Sequence, residues 1–203
     1  MIHPPKRDGW LLQSDKPAQA HVEGARIGDW IQTFTGLQFW PMDPRAGDVD
    51  IEDIAHSLSM QARYTGHGKR FYSVAEHSVL MANWVPAADK LHALLHDASE
   101  AYLTDVPRPV KPFLPGYKEA ERRVQEAVWD RFGMLHGNPY SVDAADARIL
   151  NDERAQNMRP SVVEWTMPSP EYLGVTLEFW TPAQAEFQFL TTFYKLTEST
   201  DAD

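Results

Sequence analysis

The chain has no cysteine among its 203 residues, and this absence limits how it can be stabilised and how it can bind metal. A disulfide-stapled secreted scaffold is excluded, and so is a closed zinc site built from thiolates. No apolar run is long enough to cross a bilayer, and residues 1–19 lack the apolar stretch of a signal peptide. We therefore expect residence in the cytoplasm and no membrane partner.

Basic residues are also scarce. The 19 lysines and arginines face 29 aspartates and glutamates, which gives a formal net charge of -10. No segment shows the dense Lys/Arg clustering of a nucleic-acid groove, so a nucleic-acid duplex is not the expected partner. A small anion can still bind where a few cations are concentrated. The 43% hydrophobic content is sufficient for one full core.

The apolar spacing predicts an all-α fold, a bundle of about six helices with a minor β-hairpin near the N-terminus. Residues 30–40 carry β-forming residues around a Thr-Gly turn and predict the hairpin. We divide the chain into an irregular N-terminal arm (1–26), one domain (27–198) and a disordered acidic tail (199–203). The expected helices begin near Asp50, Ser73, Lys90, Tyr117, Ser141 and Thr181, of which most are typical capping residues.

Four residues that are far apart in the sequence offer a ligand set for a divalent metal: His77, His96, Asp97 and Asp146. His96 and Asp97 lie in residues 90–103, where apolar residues recur at helical spacing. His77 follows a capping box formed by Ser73 and Glu76, in which each side chain is expected to bind a free backbone amide of the helix start.

The third segment of this set is less sharply defined, because Asp143 and Asp152 lie close to Asp146 in the sequence. We favour Asp146 as the ligand. Imidazole and carboxylate groups together suit Mn, Co, Ni, Fe or Zn, and we expect one such ion. A His-Asp dipeptide alone would be structural in most chains, so the prediction depends on the whole ordered set.

The order His77, His96-Asp97, Asp146 resembles the HD superfamily of metal-dependent phosphohydrolases. Glu100, three residues after Asp97, is similar to the HDxxE form found in bacterial 5′-deoxynucleotidases and phage deoxynucleoside triphosphate hydrolases. The resemblance covers roughly residues 28–197 and is strongest over 63–111. It implies that the predicted bundle is an HD-domain bundle and that the metal lies between helices near its middle.

The same resemblance implies roles for five further residues. Glu100 and Asp105 are expected to act as catalytic acid and base, and the sequence leaves open which is which. Arg63, Tyr64 and Lys111 are expected to bind the nucleotide, with Arg63 and Lys111 supplying positive charge against a phosphate. Two other histidines carry no firm role: His67 is either an exposed loop residue or a substrate contact, and His92 packs locally.

The expected activity is hydrolysis of the 5′-phosphate ester of deoxynucleoside monophosphates, a metal-dependent phosphohydrolase reaction on a small-molecule nucleotide. The first alternative is release of triphosphate from a deoxynucleoside triphosphate, which Lys111 favours. Further alternatives are an HD phosphodiesterase and a catalytically inactive metal-binding regulatory protein. The resemblance also implies a homo-oligomer, either a dimer or a hexamer.

Overall fold

The computed structural model describes residues 25–198, and the elements are numbered within that range. The expected acidic tail and nearly all of the expected N-terminal arm lie outside the described residues. The helices are α1 (Ile51–Met60), α2 (Val74–Trp84), α3 (Lys90–Leu95), α4 (Glu100–Leu103), α5 (Tyr117–Arg131), α6 (Tyr140–Asn157) and α7 (Pro182–Glu198). Six of these have six or more residues, so the prediction of a mostly α-helical fold with about six helices is confirmed.

The predicted hairpin is also present. Strands β1 (Ile31–Gln32) and β2 (Gln38–Phe39) are antiparallel, and Ile31 is paired with Phe39. The turn between them contains Gly36 at φ 88, a left-handed conformation that glycine adopts without a steric cost. Phe39 is completely buried and stacks on Tyr102 of α4, so the hairpin is anchored to the helical core.

Helix α2 is the centre of the domain. It packs against α1, α3, α6 and α7, and most of its residues are buried, polar ones included. The apolar core around it contains Ile54, Leu58, Leu94, Leu95, Ile149 and Phe189, all at 0% exposure. A polar residue on α2 is therefore held among helices on every side, and its partners must come from them.

Three of the expected helix starts are confirmed in atomic detail. The Asp50 side chain accepts a hydrogen bond from the backbone of Glu52 at 2.8 Å, and Ser73 accepts one from the backbone of Glu76 at 3.1 Å. Thr181 and Gln184 form a reciprocal capping box before α7. These caps depend on residues two or three positions apart, which is why the local sequence predicts them.

Two expectations at helix starts are wrong. Glu76 does not complete the capping box with Ser73, because its two carboxylate oxygens accept hydrogen bonds from the backbone of residues 178–180, each at 2.8 Å. Ser141 does not cap α6 either. The helix begins at Tyr140, directly after Pro139, so Ser141 lies in its first turn, and the Ser141 hydroxyl donates to Asp89.

The helix expected over residues 90–103 is interrupted at the His96-Asp97 pair, and Gln125 of α5 causes the break. In a continuous helix the Ser99 amide would donate to the Leu95 carbonyl. Here the Gln125 amide stands between them: its Nε2 donates to the Leu95 oxygen at 2.8 Å, and its Oε1 accepts from the Ser99 nitrogen at 3.1 Å. A side chain that enters the hydrogen-bond ladder in this way breaks a helix.

Residues 158–181 contain neither helix nor strand, as the density of proline predicts. The segment is tied to α6 by the Asp152 carboxylate, which accepts from the backbone of Leu173 and Gly174. Within residues 25–198, no helix combines the length and the apolar character of a bilayer span.

Candidate metal centre

His77 is completely buried near the start of α2, and both of its ring nitrogens are used. The Nδ1 atom lies 2.7 Å from Oε1 of Glu153 on α6. A carboxylate only accepts hydrogen bonds, so Nδ1 carries a proton in either charge state of His77, and when the ring is neutral its lone pair is at Nε2. That lone pair points toward His96, Asp97 and Asp146.

His96 is oriented by the helix break. Its Nδ1 atom donates to the carbonyl of Ala93 at 2.8 Å, which leaves the lone pair of the neutral ring at Nε2. The two Nε2 atoms of His96 and His77 are 3.3 Å apart. Two nitrogen ligands at the usual distance of about 2.1 Å from one metal ion are about 3.0 to 3.4 Å apart, depending on the angle between them. The observed separation fits this range.

Two carboxylates complete the cluster. Asp97 Oδ2 lies 3.1 Å from His96 Nε2 and 3.7 Å from His77 Nε2, and Asp146 Oδ1 lies 3.4 Å from His77 Nε2. Ligand atoms of His77, His96 and Asp146 all lie within 4.8 Å of one another, so this group can hold a metal ion. The four residues expected to bind metal are therefore neighbours in space.

The charges and pKa values of the clustered residues favour a cation at this position. Burial and Arg63 lower the pKa of His77, but Glu153 and Asp146 raise it more, to about 9. Burial raises the pKa of Asp97, yet His96, His77 and Arg63 hold it well below its usual range. When both histidines are neutral, the two Nε2 atoms and the carboxylates of Asp97 and Asp146 are all hydrogen-bond acceptors. Acceptors this close together repel one another unless a positive charge lies between them. A proton on His77 supplies that charge, and a divalent ion would supply more.

Glu153 is the functional residue that sequence analysis missed. It is completely buried on α6 and accepts from His77, from the Tyr64 hydroxyl and from Nη2 of Arg63. Burial raises its pKa, but Arg63 and His77 lower it to about 2. Its position seven residues after Asp146, two helical turns further on the same face, is the one signal in the sequence that could have identified it.

The expected catalytic carboxylates lie beside the metal cluster. Glu100 is 5% exposed at the start of α4, and its Oε2 atom is buried without a hydrogen-bond partner among the described residues. Burial, together with Asp97 and Asp105, raises the pKa of Glu100 to about 10. Asp105 is more exposed. Burial raises the pKa of Asp105 as well. The backbone amide of Asp105 donates to Oε1 of Gln61 at 2.9 Å, which fixes the position of the backbone.

Of the three residues expected to bind the nucleotide, Arg63 and Tyr64 lie within the cluster and Lys111 lies at its rim. Arg63 is largely buried, with Nε 3.2 Å from Glu153 and Nη1 3.6 Å from Asp97, so it is an integral part of the cluster. Tyr64 follows it and bonds to Glu153. Lys111 lies at the rim, 3.7 Å from Glu100, but its ammonium also binds Glu121 at 2.6 Å.

The choice among the three aspartates of α6 follows from their positions. Asp152 faces away from the cluster and binds backbone amides, and Asp143 is exposed at the start of α6. Asp146 is the aspartate of α6 that meets the histidines. His92 bonds to the carbonyl of Leu135 at 3.0 Å, a local packing role as expected.

Two curated proteins are similar to this chain. It is 40% identical over 125 residues to the uncharacterized protein YfdR of Escherichia coli K12, a match that covers 62% of this chain and 70% of that protein. It is 41% identical over 115 residues to an uncharacterized protein of Rhodobacter capsulatus, covering 52% of this chain and 59% of that protein. No family model matches the chain. Neither relative's name states an activity, so chemistry must be inferred from the site.

Proposed function

The chain belongs to the same family as YfdR, and we propose that it is a divalent-metal-dependent phosphohydrolase of the HD superfamily that acts on deoxynucleotides. The observation that carries the proposal is that ligand atoms of His77, His96 and Asp146 lie within 4.8 Å of one another, with Asp97 3.1 Å from His96 and the buried carboxyl group of Glu100 next to them. His77, His96, Asp97 and Asp146 would hold the ion. When bound, a divalent ion supplies positive charge that neutralises a phosphoryl oxygen and acidifies water.

The two carboxyl groups next to the cluster suit opposite roles. Glu100 is the proton donor, because burial and its acidic neighbours keep its carboxyl group protonated. Asp105 is more exposed and accepts the proton of the attacking water. The oxygen of that water bonds to phosphorus, the bond from phosphorus to the 5′ oxygen breaks, and Glu100 supplies the proton that the leaving oxygen needs.

Positive charge around the phosphate is supplied by two residues. Arg63 is held by Glu153 and directed at Asp97, so its guanidinium lies where a phosphoryl group on the cluster would be. Lys111 is further out, beside Glu100. Substrate phosphate is expected to displace Glu121 from this ammonium, since both are anions competing for the same cation.

We place deoxynucleoside monophosphates first among the substrates. The second candidate is release of triphosphate from a deoxynucleoside triphosphate, and the position of Lys111 at the rim favours it because a longer phosphate chain would reach that ammonium. Residence in the cytoplasm and assembly into a dimer or hexamer belong to the same proposal. Light scattering coupled to gel filtration measures the assembly directly.

The test is a screen of deoxynucleoside mono-, di- and triphosphates against protein loaded with Mn²⁺ or Co²⁺, with products separated by chromatography. We expect deoxynucleoside and inorganic phosphate from a monophosphate. Deoxynucleoside and intact triphosphate would instead identify the second candidate. Metal-loaded protein that releases no product from any of these nucleotides would refute the proposed activity, and Asp97→Ala serves as the inactive control.

A further inference from the structure

A cavity lies between the loop that follows Tyr64 and the segment after α6. Its volume is about 410 Å³, and it is lined by His67, Gly68, Lys69, Met158, Arg159, Ser161 and Trp165. This is within the range of about 300 to 1,000 Å³ typical of small-molecule sites. None of the residues proposed for metal binding or catalysis lines it.

The lining combines positive charge with an aromatic face. Lys69 and Arg159 have no carboxylate partner among residues 25–198, although the whole chain has a net charge of -10. Glu164, an acidic residue of the same segment, is paired with Arg154 instead. Two unneutralised cations at one concave surface of an acidic protein attract anions. Trp165 adds a planar apolar surface on which a base can stack.

The cavity is preorganised by Asn157, which is almost completely buried at the end of α6. The Asn157 carbonyl accepts from the Lys69 amide at 2.7 Å. Its side chain accepts from the Arg70 amide at 2.9 Å and donates to the Arg70 carbonyl at 3.1 Å. A Cβ at Gly68 would lie 2.4 Å from Asn157 Nδ2, so only glycine allows this close approach.

The cavity and the metal cluster share one short loop. Arg63 and Tyr64 contact Glu153, while His67 and Lys69, a few residues later, line the cavity. Tyr64 and Thr65 between them have φ values of 56 and 54, a left-handed backbone that is costly for residues with a Cβ. The Tyr64 ring also lies 5.9 Å from that of Trp165. The turn that orients Arg63 is thus continuous with the cavity wall.

We propose that this cavity is a second binding site for a nucleotide, with the phosphate on Lys69 and Arg159 and the base on Trp165. The ligand is a nucleoside phosphate that binds as a second molecule, separate from the one hydrolysed at the metal cluster. Its binding stabilises the turn at residues 63–66 and so the orientation of Arg63. The binding step itself does not depend on the proposed function, because it requires neither metal nor turnover.

The experiment is isothermal titration calorimetry on the metal-free full-length chain, in chelator, with dAMP, deoxyadenosine and inorganic phosphate as separate probes. We expect dAMP to bind to the metal-free protein with at least tenfold higher affinity than either fragment, since each fragment keeps only one set of contacts. The Lys69→Ala/Arg159→Ala variant should weaken dAMP binding at least tenfold. Gly68→Ala should weaken it without any change of charge.

The control variant is Lys118→Ala/Arg123→Ala, which removes two cations from α5 outside the cavity and should leave dAMP binding unchanged. A measurement in Lys111→Ala separates the two sites, because Lys111 is proposed to bind phosphate at the metal cluster and does not line the cavity, so binding that is unchanged in this variant is not binding at the substrate site. Absence of dAMP binding in chelator, or equal binding by the cavity variant and the control variant, would overturn the second site. Neither result bears on hydrolysis by the metal-loaded protein.

Discussion

The Nδ1 atom of His77 and the Oε1 atom of Glu153 are 2.7 Å apart, and both side chains are completely buried. This contact selects the tautomer of His77 that turns a lone pair toward His96 and the two aspartates. A carboxylate in this position also makes the imidazole a stronger ligand, because it stabilises positive charge on the ring. The relationship between these two residues leads to the first three predictions.

Replacing Glu153 should weaken metal binding. We expect Glu153→Ala to reduce affinity for Mn²⁺ or Co²⁺ by about 10- to 100-fold, the usual effect of losing a carboxylate behind a ligand histidine. Glu153→Gln keeps an acceptor for His77 Nδ1 and should recover part of the loss. Titration calorimetry measures both variants. Unchanged affinity in Glu153→Ala would show that the tautomer of His77 is fixed by something else.

Metal binding should release a proton near neutral pH. The pKa of His77 in the metal-free protein is raised to about 9, so its Nε2 is protonated at pH 7 and must lose that proton to bind an ion. Affinity should therefore increase with pH up to about 9. Calorimetry in buffers of different ionisation enthalpy counts the protons. A heat of binding that is independent of the buffer would contradict the assignment of His77 as a ligand.

The metal-free protein should lose stability in acid through Glu153. Its folded-state pKa of about 2 lies below the ordinary value of 4.5, so its contribution is complete above pH 4.5 and is lost as pH falls toward 2. Urea unfolding in chelator across this window measures the effect. Glu153→Gln should flatten this part of the profile, whereas Asp143→Asn, at an exposed position, should leave it unchanged.

Metal binding and turnover should be separable. Asp97→Ala removes a ligand and should abolish both metal retention and activity. Glu100→Gln keeps the shape of the side chain and should leave bound metal unchanged while kcat falls by about 10²- to 10⁴-fold, because the proton donor is lost. Elemental analysis and phosphate release give the two readouts. The exposed Glu119→Gln is the control, and a fully active Glu100→Gln would contradict the role assigned to Glu100.

Gln125 should affect metal binding without contacting a ligand. In Gln125→Leu the amide that separates Leu95 from Ser99 is gone, so the helix can become continuous and His96 and Asp97 turn away from His77. We expect at least about a tenfold loss of metal affinity. Hydrogen exchange should show new protection of the Ser99 amide.

The matched control for this variant is Gln156→Leu. Gln156, near the end of α6, also bridges two backbone groups, donating to the Val175 carbonyl and accepting from the Leu177 amide, but both groups belong to the loop after α6 and not to the segment that carries His96 and Asp97. The Gln156→Leu variant should be less stable than the unmodified protein but should bind metal with the same affinity. Equal effects of the two substitutions on metal affinity would mean that Gln125 acts only through general stability.

The order of the helices, their caps at Asp50, Ser73 and Thr181 and the identity of the four clustered residues were determined by the sequence alone. These features depend on apolar spacing, on contacts two or three residues apart and on the presence of ligand side chains. The apolar periodicity wrongly predicted a continuous helix through residues 96–99, because the helix is interrupted there by Gln125, a residue of another helix. A break of this kind leaves no trace in the local apolar pattern.

Only the tertiary structure decided the partners of the buried acids. Glu76 binds amides about a hundred residues away, and Glu153 meets a histidine on another helix. In the sequence Glu76 resembles half of a capping box and Glu153 an ordinary residue of a solvated helix face, so neither pattern indicates the true partner. A buried carboxylate is tolerated only where folding brings enough donors to it, and those donors come from distant parts of the chain. Their positions are a property of the packed bundle and of no single segment.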